Sequence, residues 1–592
     1  MSDAVGGDGW LLPPGARRPA RLLPLGTLGA GVGAVIDDRG LVTPGGEDGG
    51  WSVDWWVAAE DRWHLPAAEA GVRQSLLDDS PVVETRLRIP GGDAVQRTYG
   101  FVARDGSQRL VVEVANDSAV PVAVAVAVRP FGPTGPAHPP GSLGAGGIGR
   151  LGLNPDERTV TRDAEPVMVL PRKPAGATWS AGDGGDIVAV VTGGAAPYLA
   201  PSPGGHPDPS RRATAAFVFP LPHRQLLRFL LPLAGSALTA GSADAVPTAQ
   251  QVAKGWTAQA DRGPRFELPD PLRAAIAVAR RRLLLWQPDV ELAPALDQLG
   301  LHDDVEAVLA PLARPGTTFG GGQPAAAYLT ALATHLRLTG NVELVAASAD
   351  SIIAAVAVLT RSRRSLRRRR QKTTAGQVVG EGPEAMAAAA ELFDALGDRR
   401  AAVDARRVAA ELGLTSRSSE GFDPMDLDPL APAASQTELR RLATATISSV
   451  RQLLVDDEDP ARLQLLPGWS PRWYGQPLEV HDLPTAAGRL SLALRWHGTR
   501  PALLWDLQDR SGPVELRSGV LAPSWSAGAR RGEALLGECE PPDDGDLATA
   551  QEPRPAGFAT SVQPPVSVWS IGPPSDPAGS PPAGQPEEGS FS

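Results

Sequence analysis

The sequence QPAAAYLTALATHLRLTGN, at residues 323–341, predicts an amphipathic helix that ends at a glycine. Glycine often follows the last turn of a helix, because it adopts the left-handed backbone conformation without strain. Asn341 comes next, and asparagine is well suited to cap the start of a second helix. A connector this short forces the two helices to pack antiparallel, as a helical hairpin.

The same kind of junction recurs on both sides of this stretch. Gly397-Asp398 again places a glycine before a capping side chain, and Gly300-Leu301-His302 separates two amphipathic segments. Asp270-Pro271 predicts the start of the first helix, with an N-cap residue followed by proline at the first helical position. The other predicted helices span about 302–313, 323–339, 342–361, 384–396, 399–412 and 436–455.

The chain before these helices has the pattern of β structure. Short segments alternate between apolar and polar residues and are separated by Gly/Pro turns. The predicted strands span 82–89 and 94–102 as one hairpin, 110–114 and 120–128 as a second pair, and about 186–191 and 215–219. Because no helical pattern interrupts them, the strands predict an antiparallel sandwich rather than a parallel α/β sheet.

The period of two returns after Pro460. Leu490, Leu492, Leu494 and Trp496 alternate with other residues, and residues 502–507 run back after a turn, which predicts a hairpin. The fold class is therefore multidomain β plus α. The predicted parts are an N-terminal antiparallel β-sandwich (10–265), a central α/α helical-hairpin domain (266–455), a small C-terminal β domain (456–570) and a disordered tail (571–592).

Composition excludes several classes of protein. The 592 residues are 42% apolar and carry a net charge of −11, so global disorder is not expected and nucleic-acid binding is disfavoured. The single cysteine, Cys539, forms no internal disulfide. No stretch has the length and hydropathy of a membrane span, and we expect a cytoplasmic protein.

No cofactor and no metal site are predicted. Cysteine pairs and closely spaced histidines, which would indicate a zinc site, are absent from the sequence. Residues 144–149 match the glycine pattern of dinucleotide-binding loops, but neither a preceding strand nor a following helix is predicted there.

Several motifs together resemble the six-hairpin glycosidase superfamily, of the glucoamylase and disaccharide-phosphorylase type. Residues 111–131 are similar to the sandwich strands that precede the helical domain of that family. The segments ending in Leu338-Thr339-Gly340-Asn341 and Leu396-Gly397-Asp398 are similar to its hairpin helices. Residues 465–473 with 488–491 resemble the entry to its C-terminal β domain. The resemblance implies an α/α toroid between two β domains and a role in carbohydrate metabolism.

The sequence departs from that family in two respects. A full toroid has twelve helices, which need more than the roughly 190 residues available at about 11–14 residues per helix. No tryptophan occurs between Trp286 and Trp469, so the aromatic platforms that hold sugar rings are missing there. The helical domain is therefore predicted to be truncated.

Three carboxylates are candidates for catalysis. Glycoside hydrolysis uses two carboxyl groups, one of them protonated. The resemblance places the acid at Glu381, in a glycine-flanked loop, and Glu420 or Asp423 is the candidate base. A solvated acidic loop also explains each of the three, and favourable charge in a first helical turn explains Glu384 and the pair Asp303-Asp304.

Candidate substrate contacts are Gln323, which follows three glycines at a helix start, and the indoles of Trp55 and Trp56. Backbone amides near Gln323 could meet a sugar hydroxyl, although a simple hinge and cap explains the same residues. The tryptophans belong to a group with Trp51 and Trp63 that could stack on sugar faces or form a sheet core.

A cluster of arginines is the sharpest local anomaly in this acidic chain. Eight cations fall within residues 361–372, and the arginines are Arg361, Arg363, Arg364, Arg367, Arg368, Arg369 and Arg370. They could dock an acidic partner or form a solvated helix end. Two hypotheses follow: a glycosidase-like protein that acts on or binds a glucan or oligosaccharide, whether or not its hydrolytic site is retained, and a non-catalytic scaffold that uses the arginine cluster.

Overall fold

The computed structural model describes residues 22–45, 50–129, 151–181, 187–193, 212–233, 238, 245–370, 382–413, 436–539 and 541. It contains the three predicted parts in the predicted order, so the fold class is confirmed. The predicted tail at 571–592 lies outside the described residues.

The N-terminal part is a sandwich of two eight-stranded sheets. The first sheet has the order β1-β2-β3-β4-β10-β15-β14, with β5 paired to β4, and its strands are β1 (Leu22–Gly26), β2 (Val32–Asp37), β3 (Val42–Pro44), β4 (Ser52–Ala58), β5 (Trp63–His64), β10 (Val122–Arg129), β14 (Gly176–Ala181) and β15 (Arg212–Leu221). The second has the order β11-β12-β13-β16-β9-β8-β7-β6, and its strands are β6 (Arg73–Leu76), β7 (Val83–Ile89), β8 (Gly92–Val102), β9 (Gln108–Asn116), β11 (Leu151–Leu153), β12 (Thr159–Arg162), β13 (Glu165–Val169) and β16 (Leu226–Pro232).

Strand β10 shows why the sequence forms this sandwich. Its valines, from Val122 to Val128, point into the core between the sheets. Its alanines, from Ala123 to Ala127, point to the opposite face, where they pack in a second apolar cluster. A strand that is covered on both faces is apolar throughout. Its large valines fill the core between the two sheets, and its smaller alanines occupy the opposite face.

The predicted hairpin of β7 and β8 is confirmed, but the predicted pairing of the next two strands is wrong. β9 pairs with β8 and β16, whereas β10 pairs with β4 and β15 in the other sheet. At the crossing, the Asn116 side chain donates to the carbonyls of Val120 and Leu221 and accepts from the Ser118 amide. Asn116 therefore stabilises an arch between the sheets rather than a hairpin turn.

The strand predicted at 186–191 is also wrong, because the structure has a short helix there, α1 (Ile187–Gly193). Ile187, Val188 and Val191 lie on one face of the helix and pack against the alanine face of β10. The β-branched residues that suggested a strand are buried equally well on one side of a helical turn, and tertiary packing outweighs their local preference.

Two elements connect the sandwich to the helices. Helix α2 (Ala249–Ala260) has a capping box, in which Thr248 and Gln251 satisfy each other's backbone amides. The next strand, β17 (Arg265–Glu267), pairs with a strand of the C-terminal part. The chain thus joins the C-terminal sheet before it enters the helices, an order that no local pattern indicates.

Nine helices follow among the described residues between 272 and 454. They are α3 (Leu272–Leu285), α4 (Ala293–Gln298), α5 (His302–Leu309), α6 (Gly322–Thr339), α7 (Val342–Ala347), α8 (Ala349–Arg370), α9 (Gly382–Ala395), α10 (Arg399–Gly413) and α11 (Gln436–Leu454). Asp270 makes no side-chain cap, since α3 begins only after Pro271. The helix predicted at 342–361 is broken at Ser348, which has φ −88° and ψ 0°. None of these helices has both the length and the apolar character needed to cross a membrane.

The predicted hairpin junctions are confirmed. Gly300, Gly340 and Gly397 all have positive φ, between 69° and 77°. Asn341 accepts a hydrogen bond from the Leu344 amide, and Asp398 accepts one from the Ala401 amide. α9 and α10 pack along each other across the Gly397 junction, and α9 also packs on α6. The glycine-and-cap pattern therefore sets the helix ends wherever it occurs.

The C-terminal part has a five-stranded and a four-stranded sheet. The first has the order β17-β20-β21-β22-β25, and its strands after β17 are β20 (Leu478–Thr485), β21 (Gly488–His497), β22 (Arg500–Gln508) and β25 (Arg531–Leu535). The second has the order β18-β19-β23-β24, with β18 (Val455–Asp459), β19 (Arg462–Leu465), β23 (Glu515–Ser518) and β24 (Ala522–Ala527). Residues of this part and of the helices belong to one continuous hydrophobic core, separate from the sandwich core.

A buried carboxyl group makes the stability of the sandwich depend on pH. Asp37 ends β2, and its Oδ1 accepts the amides of Arg39 and Leu41 at 2.9 and 2.8 Å. Burial raises the pKa of Asp37 to about 7, and the two backbone hydrogen bonds oppose that rise only in part. Because the pKa of Asp37 is higher in the folded than in the unfolded protein, protonation of Asp37 stabilises the fold. This contribution is fully present below about pH 4 and is lost as the pH rises to about 7.

We therefore expect the difference in free energy of unfolding between Asp37→Asn and the wild type to change by about 2–3 kcal/mol, in favour of the variant, as the pH rises from 5 to 8. Asparagine keeps the acceptor oxygen but never ionises. Denaturant unfolding followed by tryptophan fluorescence at the two pH values measures the difference. The control is Asp117→Asn, at an exposed turn. A difference that stays constant with pH would show that Asp37 is ionised in the folded protein throughout this range.

Candidate functional site

The predicted catalytic carboxylates Glu381, Glu420 and Asp423 all lie outside the described residues. Helix α9 begins at Gly382, directly after Glu381 in sequence. Their assignment therefore stays a prediction. Glu384 is exposed in the first turn of α9, and Asp303 and Asp304 lie in the first turn of α5, as favourable helix-end charge predicts.

Of the predicted substrate contacts, Gln323 is accessible and the tryptophans are not. Gln323 is exposed in the first turn of α6. Trp55 and Trp56 are 0% and 1% exposed and face opposite sides of β4, as neighbours on a strand must. Their rings have no free surface on which a sugar could stack, so the structure agrees with the alternative that they form core.

The arginine cluster begins within a helix. α8 continues to Arg370, and Arg361, the first member of the cluster, is exposed. The side chains of the remaining arginines lie outside the described part of the structure. Docking of an acidic partner there stays a prediction.

A histidine–aspartate cluster that was not among the sequence predictions lies in the helical part, where three consecutive helices meet. Asp297 lies in the last turn of α4, His302 is the first residue of α5 and His335 lies near the end of α6. The left-handed turn at Gly300 folds α5 back, so that His302 approaches the carboxylate five residues before it.

The geometry of this histidine–aspartate cluster is tight. Nδ1 of His302 lies 2.8 Å from Oδ1 of Asp297, and Nδ1 of His335 lies 3.0 Å from the same oxygen and 3.3 Å from Oδ2. The two rings are 6.3 Å apart between centroids. One ligand atom from each of the three residues lies within 4.8 Å of the others. The cluster can therefore share protons along hydrogen bonds or hold a cation.

Burial makes the cluster electrostatically demanding. The side chains of Asp297 and His335 are 0% and 1% exposed, and that of His302 is 30% exposed. A buried carboxylate must be paired or hydrogen-bonded, and the two rings satisfy it if each carries a proton on Nδ1. Nε2 of His335 then has no hydrogen-bond partner among the described residues. A leucine at position 335 would avoid that cost but could not contact Asp297.

Local spacing could not reveal this cluster, because His302 and His335 are 33 residues apart. One signal was present: these are the only two histidines in the predicted helical segment 266–455. His335 also falls on the buried face of α6, in the row Tyr328, Leu332 and Leu338. A polar ring in an apolar row indicates a buried partner.

Two small crevices lie among the described residues. One, of about 30 Å³, lies between the sandwich and α3 and is lined by Leu23, Val83 and Arg281 among others. The other, of about 10 Å³, lies between α2 and α3 near Gly263. Each has room for about one water molecule, so neither would hold a sugar ring.

No protein-family model matches the chain, and no curated protein sequence matches it. Among solved structures, a bacterial glucoamylase complexed with acarbose is similar, with 11% identity, a TM-score of 0.36 and 68% of each chain covered. A protein described as a kojibiose phosphorylase, from the human microbiome, has 7% identity and a TM-score of 0.32, covering 82% of this chain and 87% of that one. A glycosyl hydrolase of family 92 has 10% identity and a TM-score of 0.30, covering 69% and 62%.

The first two are of the glucoamylase and disaccharide-phosphorylase types that the sequence motifs resemble. The architecture rests on the sheets and helices described above.

Proposed function

We propose that this chain is a glycosidase-like protein of carbohydrate metabolism that binds a glucan or an oligosaccharide. The observation that supports the proposal is the order of its parts: a two-sheet antiparallel sandwich, a set of helical hairpins and a small β domain. This is the order that the resemblance of the sequence motifs to six-hairpin glycosidases implies. Fold alone does not determine function, so the proposal depends on a binding test.

We propose a site that includes Gln323, in the first turn of α6, and Glu381, which precedes α9 in sequence. Gln323 is exposed at the start of α6 and follows three glycines in sequence. Glu381 comes directly before α9 in sequence. α6 and α9 pack against each other. Where the chain is active, we propose Glu381 as the acid and Glu420 or Asp423 as the base.

We expect one of four saccharides, glucose, maltose, trehalose or glycogen, to raise the melting temperature. A ligand present at ten times its dissociation constant stabilises the folded state by about 1.4 kcal/mol, which for a large domain is a rise of a few degrees. Differential scanning fluorimetry over a concentration series measures the shift. Gln323→Ala is expected to weaken it.

The matched control is Glu384→Gln, which removes an exposed charge from the first turn of α9 and should leave both binding and turnover unchanged. Glu381→Gln, three residues earlier, should abolish any hydrolysis. If none of the saccharides shifts the melting temperature, the scaffold hypothesis is favoured, in which the arginine cluster docks an acidic partner.

A further inference from the structure

We propose that Asp297, His302 and His335 form a binding site for one divalent transition-metal ion, of which Zn²⁺ fits the ligands best. Two imidazoles and one carboxylate are ligands that zinc takes in proteins, and three protein ligands with one open position is the arrangement of its reactive sites. The proposal does not depend on whether the chain binds saccharides.

The spacing of the three donor atoms suits a metal. Ligand atoms about 2.0–2.1 Å from zinc lie about 2.9–3.4 Å from each other at angles between octahedral and tetrahedral. Of the two nitrogen–oxygen distances here, 3.0 Å lies at the short end of that range and 2.8 Å lies just below it. One ligand atom of each residue lies within 4.8 Å of the others, so a small movement of one ring would complete the set.

The charge and burial of the cluster favour a cation. Asp297 is fully buried, and its ion-pair partners among the described residues are these two histidines. If both rings are neutral, a buried negative charge is left with hydrogen bonds alone, which is costly in a medium of low dielectric constant. A divalent ion would neutralise the carboxylate, and each neutral ring would bind it through Nδ1 with its proton moved to Nε2.

His335 contacts the cluster through one ring nitrogen only. Its ring is 1% exposed, and Nε2 has no partner among the described residues. An imidazole in this apolar row adds little to the packing that a leucine would not also add, and it leaves a buried polar nitrogen. What a histidine provides at this position is therefore the nitrogen beside Asp297, which is a ligand that zinc takes.

The site is open on one side. The side chain of His302 is 30% exposed, whereas the other two ligands are closed off. An ion would reach the cluster past His302, and water would complete its coordination from that side. Because the ligands come from α4, α5 and α6, the ion would also tie three successive helices together.

The test uses the full chain without an affinity tag. The protein is stripped of metal with EDTA, exposed to Zn²⁺ and then desalted to remove unbound ion. We expect about one zinc per chain by elemental analysis, and a higher melting temperature with zinc than without it. His302→Ala removes the most exposed ligand and should weaken zinc binding at least about tenfold. The control is His481→Ala, because His481 also faces a carboxylate, with 3.5 Å between its Nε2 and Oε2 of Glu479.

Binding of one zinc that is lost in His302→Ala and kept in His481→Ala supports the proposal. No binding by the wild-type chain, or equal binding by both variants, overturns it and leaves a hydrogen-bonded cluster only. If His302→Ala does not fold by circular dichroism, zinc K-edge absorption on the wild type decides. Two imidazole ligands support the site, and none or one overturns it.

Discussion

Replacing Arg129 by methionine is expected to lower the free energy of unfolding of the sandwich by about 3–5 kcal/mol. Nη1 of Arg129, at the end of β10, donates to Oδ2 of Asp54 on β4 at 2.8 Å, and the two side chains are 2% and 6% exposed. Burial raises the pKa of Asp54, and the charge of Arg129 opposes that rise. Without the guanidinium, a buried carboxylate loses its ion-pair partner.

The size of this effect depends on burial rather than on charge count. The matched control is Arg407→Met on α10, where Nη2 lies 3.2 Å from Oδ1 of Asp404 and both side chains are more than 60% exposed. An exposed pair contributes about 0–1 kcal/mol, so this variant should unfold almost as the wild type does. The double variant Arg129→Met/Asp54→Asn should recover part of the loss, because neither group is then charged. Equal effects of the two single methionine variants in denaturant titrations would contradict the argument.

Replacing Arg451 by methionine is expected to destabilise the junction of helices and C-terminal sheets by about 3–5 kcal/mol. Arg451 on α11 donates to both oxygens of Asp457, at 3.0 and 2.6 Å, and to the carbonyl of Pro484 at 3.0 Å. Oδ2 of Asp457 also accepts the Ala486 amide. Burial would raise the pKa of Asp457, but Arg451 and that amide together hold it below its ordinary value.

This ion pair lies where the helical part enters the small β domain. Thermal unfolding followed by circular dichroism should therefore show helices and C-terminal sheets losing stability together, since they share one core. Arg462→Met is the control, because its pair with Glu515, at 3.1 Å, is on the surface. Rescue by the double variant Arg451→Met/Asp457→Asn is expected. A transition confined to the sheets alone would mean that the two parts unfold independently.

Local chemistry explains why the helix ends were predictable. Gly340 needs a left-handed backbone, and Asn341 caps the next helix through an amide only three residues away. Both requirements act within one turn, so a short stretch of sequence is enough to predict the helix ends. The β7–β8 hairpin was predictable for the same reason, because its turn is short and its partners are adjacent.

Strand partners were not predictable in the same way. The sequence predicts a strand at 120–128. Its valine face and its alanine face would, however, fit any central strand of a sheet that is covered on both sides. Its actual partners, β4 and β15, lie about 70 and 90 residues away along the chain. Which of them it meets depends on the arch at Asn116 and on the packing of α1, and both involve residues distant in sequence.

The sequence by itself established the order of sandwich, helical hairpins and small β domain, since periodicity and turn chemistry act over a few residues. Folding in three dimensions alone brought Asp297, His302 and His335 together and enclosed Asp54 with Arg129. It also buried Trp55 and Trp56 on opposite faces of one strand. The physical reason is that burial and electrostatic pairing depend on distance in space, which residues far apart in the chain acquire only when the core closes around them.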